Sequence, residues 1–171
     1  MGLMNPKSTT QSGTSVAQPD LIFFTDRDLA RAFPAALAEA GFVVEPYAKH
    51  FGEANVSDEE WITLVGSKGW VGLTRDKRIR YTQADTVMRA KSRIIVLKSN
   101  LGNLDFVRAI AQHKRFIAAF VNKSGPRFIG RFKANAAPDG RLSPAIEMWL
   151  NADDWEEGLR RRELLRDGKT R

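Results

Sequence analysis

Residues 21–47 read "LIFFTDRDLARAFPAALAEAGFVVEPY" and decide the fold. A short apolar run, 21–25, stops at Asp26. Leu29, Phe33, Leu37 and Ala40 then recur on one helical face, and Gly41 supplies a stop. Pro34 lies inside this helix, so it starts late or bends there. "FVVEPY", 42–47, follows as a second strand. Strand, helix, strand is the unit from which parallel sheets are assembled.

The same alternation continues outward. "AKHFGEANV" has no period and reads as a loop. "SDEEWITLVGSKG" reads as a helix, because Ser57 followed by Glu60 is a capping box and Trp61, Leu64 and Val65 give an apolar face. "WVGLT", 70–74, is a third strand. "QADTVMRAKS" is a short helix and "RIIVLKS", 93–99, a fourth strand. Residues 103–121 read as one long periodic helix with Phe106, Ile110, Ile117 and Val121 on its core side. The pattern argues for an α/β fold with a mainly parallel sheet. Beyond 125 the pattern changes: "PRFIGRFKANA" and "LSPAIEMWL", within 126–150, suggest an edge hairpin or a C-terminal addition. We therefore expect a disordered leader at 1–18, a folded domain at 19–150, and a charged, helical tail at 151–171.

Composition bounds the partners. A chain of 171 residues supports one domain with a real core. No apolar run approaches the ~20 residues of a membrane helix, and the first residues lack the apolar centre of a signal peptide. Pro6 argues against myristoylation at Gly2. The absence of cysteine removes disulfides and thiolate zinc sites and fits a reducing cytoplasm. A net charge of +7 favours a polyanionic partner.

Ligands of parallel α/β sheets bind at the carboxyl ends of the strands. Asp26 follows the first strand there and Asp76 the third. Asp58, Glu59 and Glu60 open the helix leading into the third strand. If these converge, crowded carboxylates need a cation or a proton between them, and Mg²⁺ or Mn²⁺ suits an all-oxygen set. Each acid also has a plainer use. Asp26 or Asp28 could cap the next helix. Asp58 and Glu59 favour a helix N-terminus, and Glu60 completes the capping box. Asp76 could pair with Arg75 or Lys77, but an exposed pair is worth only ~0–1 kcal/mol. The cations Arg75, Lys77, Arg78 and Arg80 could form a solvated turn. His113 reads as a surface residue and His50 as a loop residue without a second partner. No P-loop or GxGxxG is present.

Taken together, "FFTDRDLARAFPAALAEAGFVV", "DEEWI" and "GWVGLTRDKRIR" resemble the PIN-like nucleases, most closely the branch that includes VapC-type toxins. The resemblance covers about 21–121. It implies a three-layer fold with a twisted parallel sheet flanked by helices, a carboxylate-bound Mg²⁺ or Mn²⁺, and cleavage of single-stranded RNA. The family's acids map to Asp26, to Asp58 or Glu59, and to Asp76, as metal ligands and catalytic groups. Arg75, Lys77, Arg78 and Arg80 would bind substrate phosphates, and Arg27 would do the same. A fourth family acid has no clear counterpart in "KSNLGNLDF", which offers Asn100, Asn103 and the more distant Asp105. The partners implied are single-stranded RNA and a cognate antitoxin, with a homo-oligomer compatible and no membrane. Competing readings are a nucleic-acid-binding module without activity, a regulatory protein whose acids only cap helices, and a two-component receiver, against which the basic flanks of Asp76 argue.

Overall fold

The computed structural model describes residues 21–168, so the expected leader at 1–18 lies outside the described residues. Six strands form one sheet: β1 (Ile22–Thr25), β2 (Val43–Pro46), β3 (Val71–Thr74), β4 (Arg93–Ser99), β5 (Phe128–Ala136) and β6 (Leu142–Asn151). Their order is β2-β1-β3-β4-β5-β6. The first five run parallel, and only β6 pairs antiparallel, with β5.

Helices cover both faces. α1 (Ala32–Glu39), α6 (Asn103–Gln112) and α7 (Lys114–Ser124) supply one layer. α2 (Tyr47–Phe51), α3 (Asp58–Lys68), α4 (Ile79–Thr82) and α5 (Ala84–Arg89) supply elements of the other. α8 (Ala152–Gly168) closes the described chain. Adjacent residues of β1 show why its run is continuous rather than alternating. Phe23 packs with Phe33, Leu37 and Phe106 on one face, and Phe24 packs with Trp61, Ile62 and Val65 on the other. Burying either ring contributes about 2–3 kcal/mol, so both faces demand apolar residues.

Three elements differ from the sequence expectation, one of them the four-residue α4, which no sequence period announces. The stretch read as a loop begins with α2, whose five residues are too few to show a period. Tyr47 fixes it: its hydroxyl donates to the Ala54 carbonyl (2.8 Å) and accepts from the Val56 N–H (3.1 Å). The helix expected over 103–121 is two helices, broken at His113 (φ −99°, ψ 9°). Ile110 and Ile117 stand seven residues apart, in phase with an unbroken helix, so periodicity could not reveal the break.

Candidate active site at the β1/β3 switch point

From β1 the chain crosses to β2 on one side, then returns past β1 to β3 on the other. Such a reversal opens a crevice at the carboxyl ends of the two central strands. Thr25 lies opposite Leu73, and the Asp26 N–H donates to the Leu73 carbonyl (3.0 Å). The register therefore sets Asp26 beside Thr74.

Thr74 is the hub. It is fully buried, and its Oγ1 lies 2.9 Å from Asp26 Oδ2 and 3.1 Å from Asp28 Oδ2. The same oxygen accepts from the Asp76 N–H (3.1 Å). A hydroxyl has one proton to donate, so it cannot satisfy both carboxylates at once. The Arg27 N–H donates to Asp26 Oδ1 (2.7 Å), and the Arg75 N–H donates to Asp28 Oδ2 (2.7 Å). Asp26 is only 7% exposed. Burial first, and then the neighbouring Asp28 charge, push its carboxyl up to about 6, with a smaller push from Asp58; the Thr74 and Arg27 hydrogen bonds oppose the rise. Burial also raises the Asp28 carboxyl, with a further push from Asp76.

Asp28 is the residue that sequence reasoning treated only as a cap. The N-cap of α1 is Arg31, with no side-chain cap at all, so neither Asp26 nor Asp28 serves that helix. The available signal was "TDRD" itself, two acids straddling one residue at a strand end. Thr74, a hydroxyl closing an otherwise apolar strand, also went unread.

The other expected acids divide. Asp58 opens α3 and accepts from the Trp61 indole N–H (3.1 Å), and its charge reaches Asp26. Glu59 is exposed; its backbone carbonyl, not its carboxylate, takes the Thr63 hydroxyl (2.6 Å). Glu60 forms the capping box with Ser57. Asp76 Oδ1 accepts from the Arg78 N–H (2.9 Å), a turn that leads into α4. Asp105 pairs with Arg108 (3.1 Å), away from this group.

Among the expected phosphate ligands, Arg75 is committed elsewhere. Its guanidinium donates to Asn103 Oδ1 (3.2 Å) and lies over the Phe106 ring. Lys77 and Arg78 are exposed. Arg27 lies over the Tyr47 ring at the mouth of a groove of ≈ 890 Å³ between α1 and α2. His50 binds Glu45 (2.8 Å) and packs near Trp70, and His113 ends α6, so neither joins the carboxylates.

Among the described residues, no three acidic, histidine or cysteine side chains stand close enough to form a ready-made metal cage. The donor set nevertheless suits a hard divalent ion. Mg²⁺ commonly takes one or two protein carboxylates and fills the rest of its shell with water and substrate phosphate. Asp26, buried, and Asp28, more exposed beside it, repel each other and compete for one proton, and are such a pair.

A parallel sheet with carboxylates at this switch point is the architecture of a PIN-like domain, and residues 21–99 match the family model described as a PIN like domain. Over 122 residues the chain is 30% identical to a Mycobacterium tuberculosis protein named "Putative ribonuclease VapC45", an alignment spanning 63% of this chain and 88% of that protein. The chain belongs to the VapC branch of the PIN-like family. No solved structure matches it.

Proposed function

We propose that the chain is a metal-dependent endoribonuclease, the toxin of a type II toxin–antitoxin pair, that hydrolyses phosphodiesters of single-stranded RNA. The observation that carries this reading is Asp26, a buried carboxylate at the switch point, crowded by Asp28 and raised to about 6. A buried acid with like-charged neighbours in a cleft is a functional-site candidate, because active sites are where burial and like charges are arranged to shift a carboxyl upward. The likeness to a protein named as a ribonuclease supports the same reading.

Asp26, Asp28, Asp58 and Asp76 would hold Mg²⁺ or Mn²⁺. Asp58 stands ahead of Glu59 because its charge reaches Asp26. The ion, when bound, supplies Lewis-acid activation of water and phosphate. An ionised carboxylate of the group would take a proton from the attacking water. Arg27, Lys77 and Arg78 would draw in the phosphates. Arg75 would act chiefly as a positioning residue, tying the end of β3 to α6 through Asn103. The likeness to VapC45 also supports an antitoxin as partner. No described helix is long and apolar enough to cross a membrane, and a cytoplasmic site of action fits the lack of cysteine.

The test is cleavage of a mixed single-stranded RNA pool with Mn²⁺, Mg²⁺ or chelator, using wild type and Asp26→Asn. Wild type should cut only with a divalent ion, and the variant should lose cleavage together with the Mn²⁺-induced rise in melting temperature. Cleavage that survives in chelator, or in the variant, refutes the assignment.

A further inference from the structure

We infer that single-stranded RNA makes a second contact outside the carboxylate crevice, on a rim formed by α4 and β6, where a base stacks on Tyr81. The inference rests on the ribonuclease reading and extends it to residues that the family match at 21–99 only partly covers.

Four side chains build the rim. Tyr81 is 75% exposed although aromatic. Its ring stands edge-on to Trp149 of β6, with centroids 6.2 Å apart at 86°. The Arg80 guanidinium lies over both rings, 5.7 Å from Tyr81 and 5.3 Å from Trp149. Arg131 of β5 lies over Trp149 at 5.0 Å. Arg80 has no carboxylate partner among the described residues. Arg131 and Lys133 share the single Glu147 carboxylate, so that pair of cations keeps a net positive charge.

An exposed ring flanked by cations in excess of their carboxylates is what non-specific single-strand binding requires. The ring accepts bases by stacking, and the cations follow the phosphates. The rim also connects to the crevice. α4 starts just after Asp76, Lys77 and Arg78, so Tyr81 stands five residues from Asp76, across one turn and the first residues of the helix. An RNA strand lying over Asp76 would thus reach Tyr81 within one or two nucleotides. Arg80 and Tyr81 also line one side of a cleft of ≈ 430 Å³ that Asp85, Asp154 and Arg162 complete.

The test measures binding of a fluorescein-labelled oligouridylate of about 12 nucleotides, a usual single-strand site size. Chelator is present so that nothing is cut. Tyr81→Ala should weaken binding about 5- to 100-fold, while Tyr81→Phe, which keeps the ring, should bind like wild type. Arg80→Gln should weaken binding and lower the slope of log Kd against log salt by about one; Tyr81→Ala should leave that slope unchanged. Exposed Tyr81 contributes little to folding, so both of its variants will be folded. If Tyr81→Ala stays within about twofold of wild type on RNA, the proposal is wrong. If that variant instead loses its antitoxin, the rim is a protein interface and the proposal is equally wrong. If wild type neither binds the oligomer nor cuts RNA, the ribonuclease reading has failed and carries this inference with it.

Discussion

At the residue scale, Asp26 is the group whose ionisation costs the fold most. Its carboxyl titrates near 3.8 when unfolded and at about 6 when folded. Below pH ~4 it is protonated in both states and costs nothing. Between about 4 and 6 the folded protein holds the proton that the unfolded chain has lost, so this residue's contribution falls as pH rises. Above 6 the penalty is complete, at about 3 kcal/mol as an upper bound. Metal-free Asp26→Asn should therefore melt several degrees above wild type at pH 7.5, with the two converging near pH 4. Equal melting temperatures throughout, in thermal scans under chelator, would show that the carboxylate is not strained. Asp76 differs, because its Oδ1 accepts from the Arg78 N–H and an asparagine can do the same. Asp76→Asn should change stability by less than about 0.5 kcal/mol yet abolish cleavage. Retained cleavage in Mn²⁺ would leave Asp76 with its turn alone. Asp26 and Asp76 were legible because each follows an apolar run. Asp28 was not, because a strand-to-helix acid is so often a cap, and only the bare N-terminus of α1 excludes that use.

At the element scale, the strands and the short helix α5 were legible, while α2 and α4 were not. β1, β3 and the middle of β4 are buried on both faces and so read as unbroken apolar runs between polar stops, whereas the edge strand β2 and the alternating β5 are not. α2 and α4 are held by tertiary contacts, through Tyr47 and Ile79, and leave no period of their own. α3 matters most for the site, since it carries Asp58 and its capping box fixes where it starts. Its position depends on Gly66. A Cβ there would stand 2.0 Å from the Ala90 carbonyl oxygen and 2.5 Å from Ser92 Oγ. Alanine would add up to about 1 kcal/mol of helix propensity. The collision is with backbone, which cannot rotate aside, and overpacking costs about 1–3 kcal/mol or more. Gly66→Ala should thus lower the urea midpoint and, by shifting Asp58, the cleavage rate. Gly158→Ala in α8 is the matched control: nothing lies within 4 Å of its Cβ, so propensity alone should act and the midpoint should hold or rise. A stabilised Gly66→Ala would mean that α3 and α5 are not packed this closely.

At the scale of the whole molecule, the sequence reveals the kind of sheet but not the order of its strands. The order β2-β1-β3 is what brings Asp26 to Thr74, the hydroxyl that also accepts from the Asp76 N–H, so that both strand-end acids of the candidate site meet at one residue. Nothing local encodes it, because it depends on which strands pair across long crossovers. The C-terminal tail poses the reverse problem, since its charge pattern reads as a helix while its role depends on what it touches. None of the residues of α8 is buried. Its first turns are tied to the domain, with Trp155 donating to Asp85 (2.7 Å) and Arg127 donating to Glu156 (2.7 Å). Farther along, Leu164 and Leu165 are exposed, and the Arg161–Glu157 pair lies within the helix itself. Helices this short are marginal without tertiary packing, so the part beyond Gly158 stabilises the single chain little. A chain ending at 158 should melt within about 3 °C of full length, the shift expected for roughly 1 kcal/mol in a protein of this size. It should also cleave RNA at the same rate. Removing all of 152–171 takes away the Trp155 and Arg127 ties and should cost more. A fall of more than about 5 °C on ending the chain at 158, measured by calorimetry on the isolated protein, would mean that the distal helix packs on the domain after all.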